Sequence, residues 1–120
     1  EKGIFELLDV FKNNNDRYLE CFGWFVNNES RIKKYENKTI KINGFIKGEE
    51  KFKKINETDA LILPSWNEGQ PTIIIEAMMM GTIVLTTKVG LIGELLGDDY
   101  PFYFKSRDLN SLRECIECRI

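Results

Sequence analysis

Residues 60–86 read ALILPSWNEGQPTIIIEAMMMGTIVLT, and the order of their parts decides the fold. The apolar run from Ala60 to Leu63 is short, rich in strand formers and closed by Pro64, which reads as a strand. A polar loop follows, Ser65-Trp66-Asn67-Glu68-Gly69-Gln70. Pro71 suits the first position of a helix, where its missing N–H is an orphan anyway. Ile73 to Met80 continue that helix. Residues 82–86 form a second apolar, β-branched strand. Strands apolar on both faces, joined through a helix, imply a parallel sheet covered by helices on both sides.

The same alternation extends in both directions. Ile4, Leu7, Leu8 and Phe11 recur at helical spacing and predict a helix over 4–12. Residues 18–25 read as a strand, 29–35 as a short polar helix, and 39–42 as a strand closed by Asn43-Gly44. A helix over 49–55 is expected to turn Phe52 and Ile55 inward. Beyond the central stretch come a helical turn at 93–96, a strand at 101–104 and a helix over 109–118 with Asp108 as its N-cap. A chain of 120 residues fits one domain. The expected class is α/β, a Rossmann-like parallel sheet flanked by helices. No run approaches the length of a membrane-spanning helix.

Ligands of such sheets sit where strand carboxyl ends feed helix N-termini, so the 64–76 stretch is the candidate site. The helix start offers unpaired N–H groups and a positive dipole end, which suit an anion. Gly69 lets backbone approach a ligand. Glu68 can accept from two hydroxyls at once. The helix is apolar nearly all round, which predicts burial, yet Glu76 interrupts it. Thr72 precedes Glu76 by four residues, on the same face. Two explanations of Glu76 stand open. It faces the loop end to hold ribose hydroxyls, or it pairs with a lysine or caps neighbouring backbone.

Composition removes other classes. Hydrophobic residues make up 42 % of the chain and aromatics 12 %, enough for an ordinary core. With no histidine, neither a Ser-His-Asp triad nor a His-ligated metal is available. The net charge of −2 argues against a nucleic-acid binder. Residues 31–54 carry nine basic against three acidic side chains, a local excess of six. That block reads as solvated helix and loop faces, or as a basic flank near anionic lipid or phosphate. Cys21, Cys115 and Cys118 are an odd, sparse set, which points to a reducing compartment. The Cys115-Cys118 pair lacks the second pair that a metal site needs.

Asp59 to Ser65, Glu68-Gly69, Pro71, Glu76-Ala77, Gly81, Val84 and Gly90 resemble the C-terminal half of GT-B glycosyltransferases, most closely the retaining group 1 (family 4) enzymes. Glu68 and Glu76 match their E-x7-E spacing, Glu1-Lys2-Gly3-Ile4 their "EKG" segment, and Asn43-Gly44-Phe45-Ile46 a turn of theirs. The resemblance implies that residues 1–120 are the donor-binding C-terminal domain of a two-domain enzyme. The domain's first strand, an arginine and the acceptor-binding domain would then precede Glu1, and this piece alone would not turn over. By position, Glu68 is the catalytic residue and contacts the donor sugar's hydroxyls. Backbone N–H groups of Gly69 and Gln70 lie beside sugar and diphosphate, Glu76 binds the ribose with Thr72 nearby, Lys2 neutralises the leaving diphosphate, and Phe45 flanks the base. The resemblance further implies a UDP-, GDP- or similar sugar donor, a glycan or lipid-linked acceptor, surface polysaccharide synthesis, and a cytoplasmic setting with peripheral membrane association. No cofactor, metal or nucleic acid is expected. Gly90-Leu91-Ile92-Gly93-Glu94 departs from the family's Gly-Gly-x-Pro-Glu. Two rivals remain: a non-catalytic nucleotide-sugar-binding module, and a GT-B sugar-nucleotide epimerase, which the 64–77 pattern fits poorly.

Overall fold

The computed structural model describes residues 4–12, 17–22, 29–44, 46–64, 72–88, 91–105 and 108–119. The elements are α1 (Ile4–Phe11), β1 (Leu19–Cys21), α2 (Glu29–Lys33), β2 (Ile40–Ile42), α3 (Gly48–Glu57), β3 (Ala60–Leu63), α4 (Thr72–Met79), β4 (Ile83–Thr86), α5 (Ile92–Leu96) and α6 (Leu109–Arg119). Strand and helix alternate from α1 to α5 as the sequence implies, α6 follows α5 directly, and the strand pairs are parallel. β1 pairs with β2 in the register Leu19–Ile40, and β3 pairs with β4 in the register Ala60–Ile83.

Among the described residues the strands form two separate two-stranded sheets rather than one. They nevertheless share a core. Leu19, Cys21, Ile40 and Ile42 of the first sheet cluster with Leu85 of the second, over α1 and α6. On α1, Leu7, Leu8 and Phe11 face that cluster, as their spacing requires. On α6, Leu112, Cys115 and Ile116 do the same. Asp108 caps α6 as expected, its Oδ1 accepting the Ser111 N–H at 3.0 Å. The outer edge of β2 is closed locally. The Glu36 carboxylate accepts the Ile42 N–H at 3.0 Å, and the Asn37 N–H donates to the Ile40 carbonyl at 3.1 Å.

A second, smaller cluster joins Ile55, Ile74, Ala77, Val84 and Ile92 between α3, α4, β4 and α5. α4 ends in a Schellman motif: Gly81 has φ 75°, its N–H bonds the Met78 carbonyl, and the Thr82 N–H bonds the Ala77 carbonyl. That turn presents the Thr82 hydroxyl to the Ile55 carbonyl at 2.9 Å, which ties the end of α3 to the end of α4.

Five expectations are corrected here. α4 is not buried all round: Ile74 and Ala77 are buried, but Ile75, Met78 and Met79 are exposed. An eight-residue helix resting on β4 and α3 has neighbours on one side, so only one face is covered. Phe52 is exposed while Ile55 is buried, because α3 also meets its neighbours along one stripe. β3 is half-buried along its length, and Ile83 is exposed. The stretch over 101–104 contributes a single parallel bridge, Tyr103 to Thr86, rather than a strand. Of the expected strand over 18–25, Leu19–Cys21 forms, Tyr18 is exposed, and 23–28 lie outside the described residues.

Candidate functional site

The carboxyl ends of β3 and β4 are joined by Thr86. Its hydroxyl donates to the Leu63 carbonyl at 3.1 Å, its N–H to the Phe102 carbonyl at 3.3 Å, and its carbonyl accepts the Phe104 N–H at 3.0 Å. Thr86 has no exposed surface, so each of these groups needs a partner. Leu63 is the last residue of β3 and is followed by the buried Pro64. The chain therefore leaves the sheet from a fixed point, and α4 begins at Thr72.

Of the expected site residues, Lys2, Phe45, Glu68, Gly69 and Gln70 lie outside the described residues, as does Pro71. Thr72 and Glu76 are placed. Thr72 opens α4 and is exposed. Glu76 stands one turn further on, with its Oε2 3.0 Å from Nζ of Lys51 on α3. Both side chains are largely covered, 26 % exposed for Lys51 and 22 % for Glu76. The Lys51 ammonium also lies 5.4 Å from the centre of the Phe52 ring. Glu76 Oε1 is buried and has no hydrogen-bond partner, the one such side-chain oxygen or nitrogen among the described residues.

Of the two explanations of Glu76, the lysine pairing forms, and it satisfies one oxygen. A carboxylate has about four acceptor positions, and an unsatisfied buried acceptor costs about 1–3 kcal/mol. The other oxygen is thus an acceptor in want of a donor, at the end of the molecule where β3 feeds α4. Lys51 was not singled out by the sequence reading, where it is one of nine basic residues in its block. The usable signal is its position four residues before the inward Ile55, which puts both on one helix face.

Two residues past the carboxyl end of β4, the Lys88 ammonium pairs with the Asp98 carboxylate, which raises the lysine's pKa and lowers the aspartate's. The Lys88 stem lies against Gly93, where an added Cβ would meet it at 3.2 Å. Ile92 is fully buried and opens α5. The unusual Gly93 therefore gives room to a lysine stem. Cys115 turns into the core, with Sγ 3.7 Å from the Phe102 carbonyl oxygen. Among the described residues no three His, Cys, Asp or Glu side chains converge to hold a metal.

Comparisons with known proteins bear on the family and the fold. The family model described as glycosyl transferases group 1 matches residues 1–117. A Bacillus subtilis (strain 168) protein, provisionally named as the teichuronic acid biosynthesis glycosyltransferase TuaC, is 28 % identical over 116 residues, covering 97 % of this chain and 29 % of its own length. A glycosyltransferase structure from Rickettsia africae ESF-5 matches with a TM-score of 0.84 at 21 % identity, over 98 % of this chain and 34 % of that one. Sucrose-phosphate synthase from Thermosynechococcus elongatus matches with a TM-score of 0.77 at 22 % identity, over 98 % and 32 %. The structural matches establish the fold, parallel α/β of the GT-B kind. The chain spans about a third of the length of these relatives.

Proposed function

The chain belongs to the group 1 glycosyl transferases, and from that membership we propose that it is the donor-binding, C-terminal part of a retaining two-domain enzyme. The observation that carries this reading is Glu76. A glutamate in an otherwise apolar helix, at the exit of β3, keeps a buried oxygen without a donor. The ribose hydroxyls of a nucleotide sugar supply such donors. Glu68 then contacts the donor sugar and carries the catalytic role. Gly69 and Gln70 offer N–H groups to sugar and diphosphate, Thr72 lies beside them, Lys2 neutralises the departing diphosphate, and Phe45 flanks the base.

A strand and an acceptor-binding domain precede Glu1 in this proposal. Such a strand would join the two short sheets, and the apolar cluster that already runs beneath both supports it. The acceptor is a glycan or a lipid-linked glycan in surface polysaccharide synthesis, a reading supported by the relative assigned to teichuronic acid. The setting is cytoplasmic, at the inner membrane face. No helix among the described residues is long and apolar enough to cross a membrane, and the basic side chains over 31–54 are mostly exposed.

The full-length protein tests this by titration calorimetry with UDP and GDP. Glu76→Ala weakens nucleotide binding by about tenfold or more, as expected for lost hydrogen bonds to a charged group. Unchanged affinity removes Glu76 from the site. Glu68→Ala lowers kcat with little change in nucleotide affinity, and normal turnover would overturn its role.

A further inference from the structure

The ion pair beneath Glu76 has a function that the donor-site reading does not supply. We infer that Lys51 is a positioning residue, which holds the Glu76 carboxylate in the plane that a vicinal diol requires and thereby sets selectivity for ribose over 2′-deoxyribose. This rests on Glu76 being the ribose acceptor.

Four observations combine. Lys51 Nζ sits 3.0 Å from one carboxylate oxygen, Oε2. The other oxygen, Oε1, is covered and has no partner. Lys51 is itself held, three-quarters covered and with its ammonium 5.4 Å from the Phe52 ring. Its helix is fixed relative to α4 by the Thr82 hydroxyl on the Ile55 carbonyl at 2.9 Å, and by Ile55 packing with Ile74 and Ala77.

A glutamate side chain has among the largest rotamer freedoms of any residue, and its last torsion is broad. Fixing one oxygen removes most of that freedom. A diol that donates one hydroxyl to each oxygen then meets an acceptor already oriented, so less ordering remains to be done on binding. A lysine suits this task because its ammonium is a point charge with three donors. It engages Oε2 from the α3 side and leaves that oxygen's other acceptor position, together with Oε1, to the ligand. A ligand lacking one of the two hydroxyls leaves an acceptor unsatisfied, which is how a site built for a hydroxyl rejects the analogue without it.

The experiment uses the full-length protein and four probes: UDP, GDP and the 2′-deoxy counterpart of each, titrated by calorimetry. Wild type prefers a ribonucleotide to its 2′-deoxy form by about tenfold or more, and Glu76→Gln removes most of that preference. Lys51→Met, which keeps the stem and loses the charge, cuts the preference by about threefold or more. Lys51→Arg restores most of it, a rescue that a merely structural role does not predict. If wild type shows no preference, the ribose role of Glu76 falls and this inference falls with it. If wild type and Glu76→Gln behave as stated while Lys51→Met keeps the full preference in a protein that still melts cooperatively, only the role of Lys51 is overturned.

Discussion

The half of the molecule built on α1, β1, β2 and α6 is the less apolar in sequence and the better buried. In β1 and β2 an exposed charged residue, Glu20 or Lys41, stands between two buried apolar ones. In the half built on β3, α4 and β4, apolar residues run almost without interruption, yet Ile75, Met78, Met79 and Ile83 are exposed and β3 is half-buried throughout. The difference teaches that burial follows the supply of neighbours rather than hydropathy. α1 and α6 pack on each other and on both sheets. α4 meets β4 and α3 along one face.

The comparison breaks if the two cores respond alike. Leu8 and Ile74 are both fully buried. Leu8→Ala opens a cavity in the larger cluster, with neighbours on every side, and should cost about 3–4 kcal/mol. Ile74→Ala lies in the smaller cluster beside an exposed helix face that can collapse, and should cost about 2 kcal/mol. Denaturant titration of the full-length protein checks the order, and a reversal would contradict the account of the two halves.

The next effect sharpens the first half alone. Burial pushes the Cys21 thiol from its ordinary 9.0 to about 12. The folded state thus resists ionisation that the unfolded state accepts. Stability from this group is complete below pH 9 and falls as pH rises from 9 towards 12, by about 1.4 kcal/mol at pH 10. Cys21→Val should flatten that part of the pH–stability profile, and an unchanged slope would place its cause elsewhere. The smallest effect tests the second half. Met79 is 82 % exposed, so Met79→Ser should change the melting free energy by less than about 0.5 kcal/mol. A larger loss would show that this face is covered in the full-length protein.

Much of the fold is legible in particular residues. Pro64 after an apolar run, Gly81 after the three methionines and Asp108 before Leu109 each act through bonds to near neighbours in the chain, so their effects can be read locally. Gly81 and Asp108 do what their types require, one in a left-handed turn and the other as a cap. The inward side of α3 is only half legible. Ile55 turns in and Phe52 does not, because a three-residue offset leaves either on the inner stripe until the neighbour's position is known. Glu76 marks the same boundary. Its oddity in an apolar helix is plain in the sequence, but its partner is 25 residues away on another helix.

The sequence by itself determined the parallel α/β alternation, the order of elements from Ile4 to Leu96, and the stretch from β3 to Glu76 as the candidate site, since period, breakers and caps are local properties of the chain. Only the tertiary structure decided which faces are covered, that two sheets stand over one core, and that Lys51 among nine basic residues meets Glu76. Those outcomes depend on how helices pack across the sheet, and packing joins residues that no local pattern brings together.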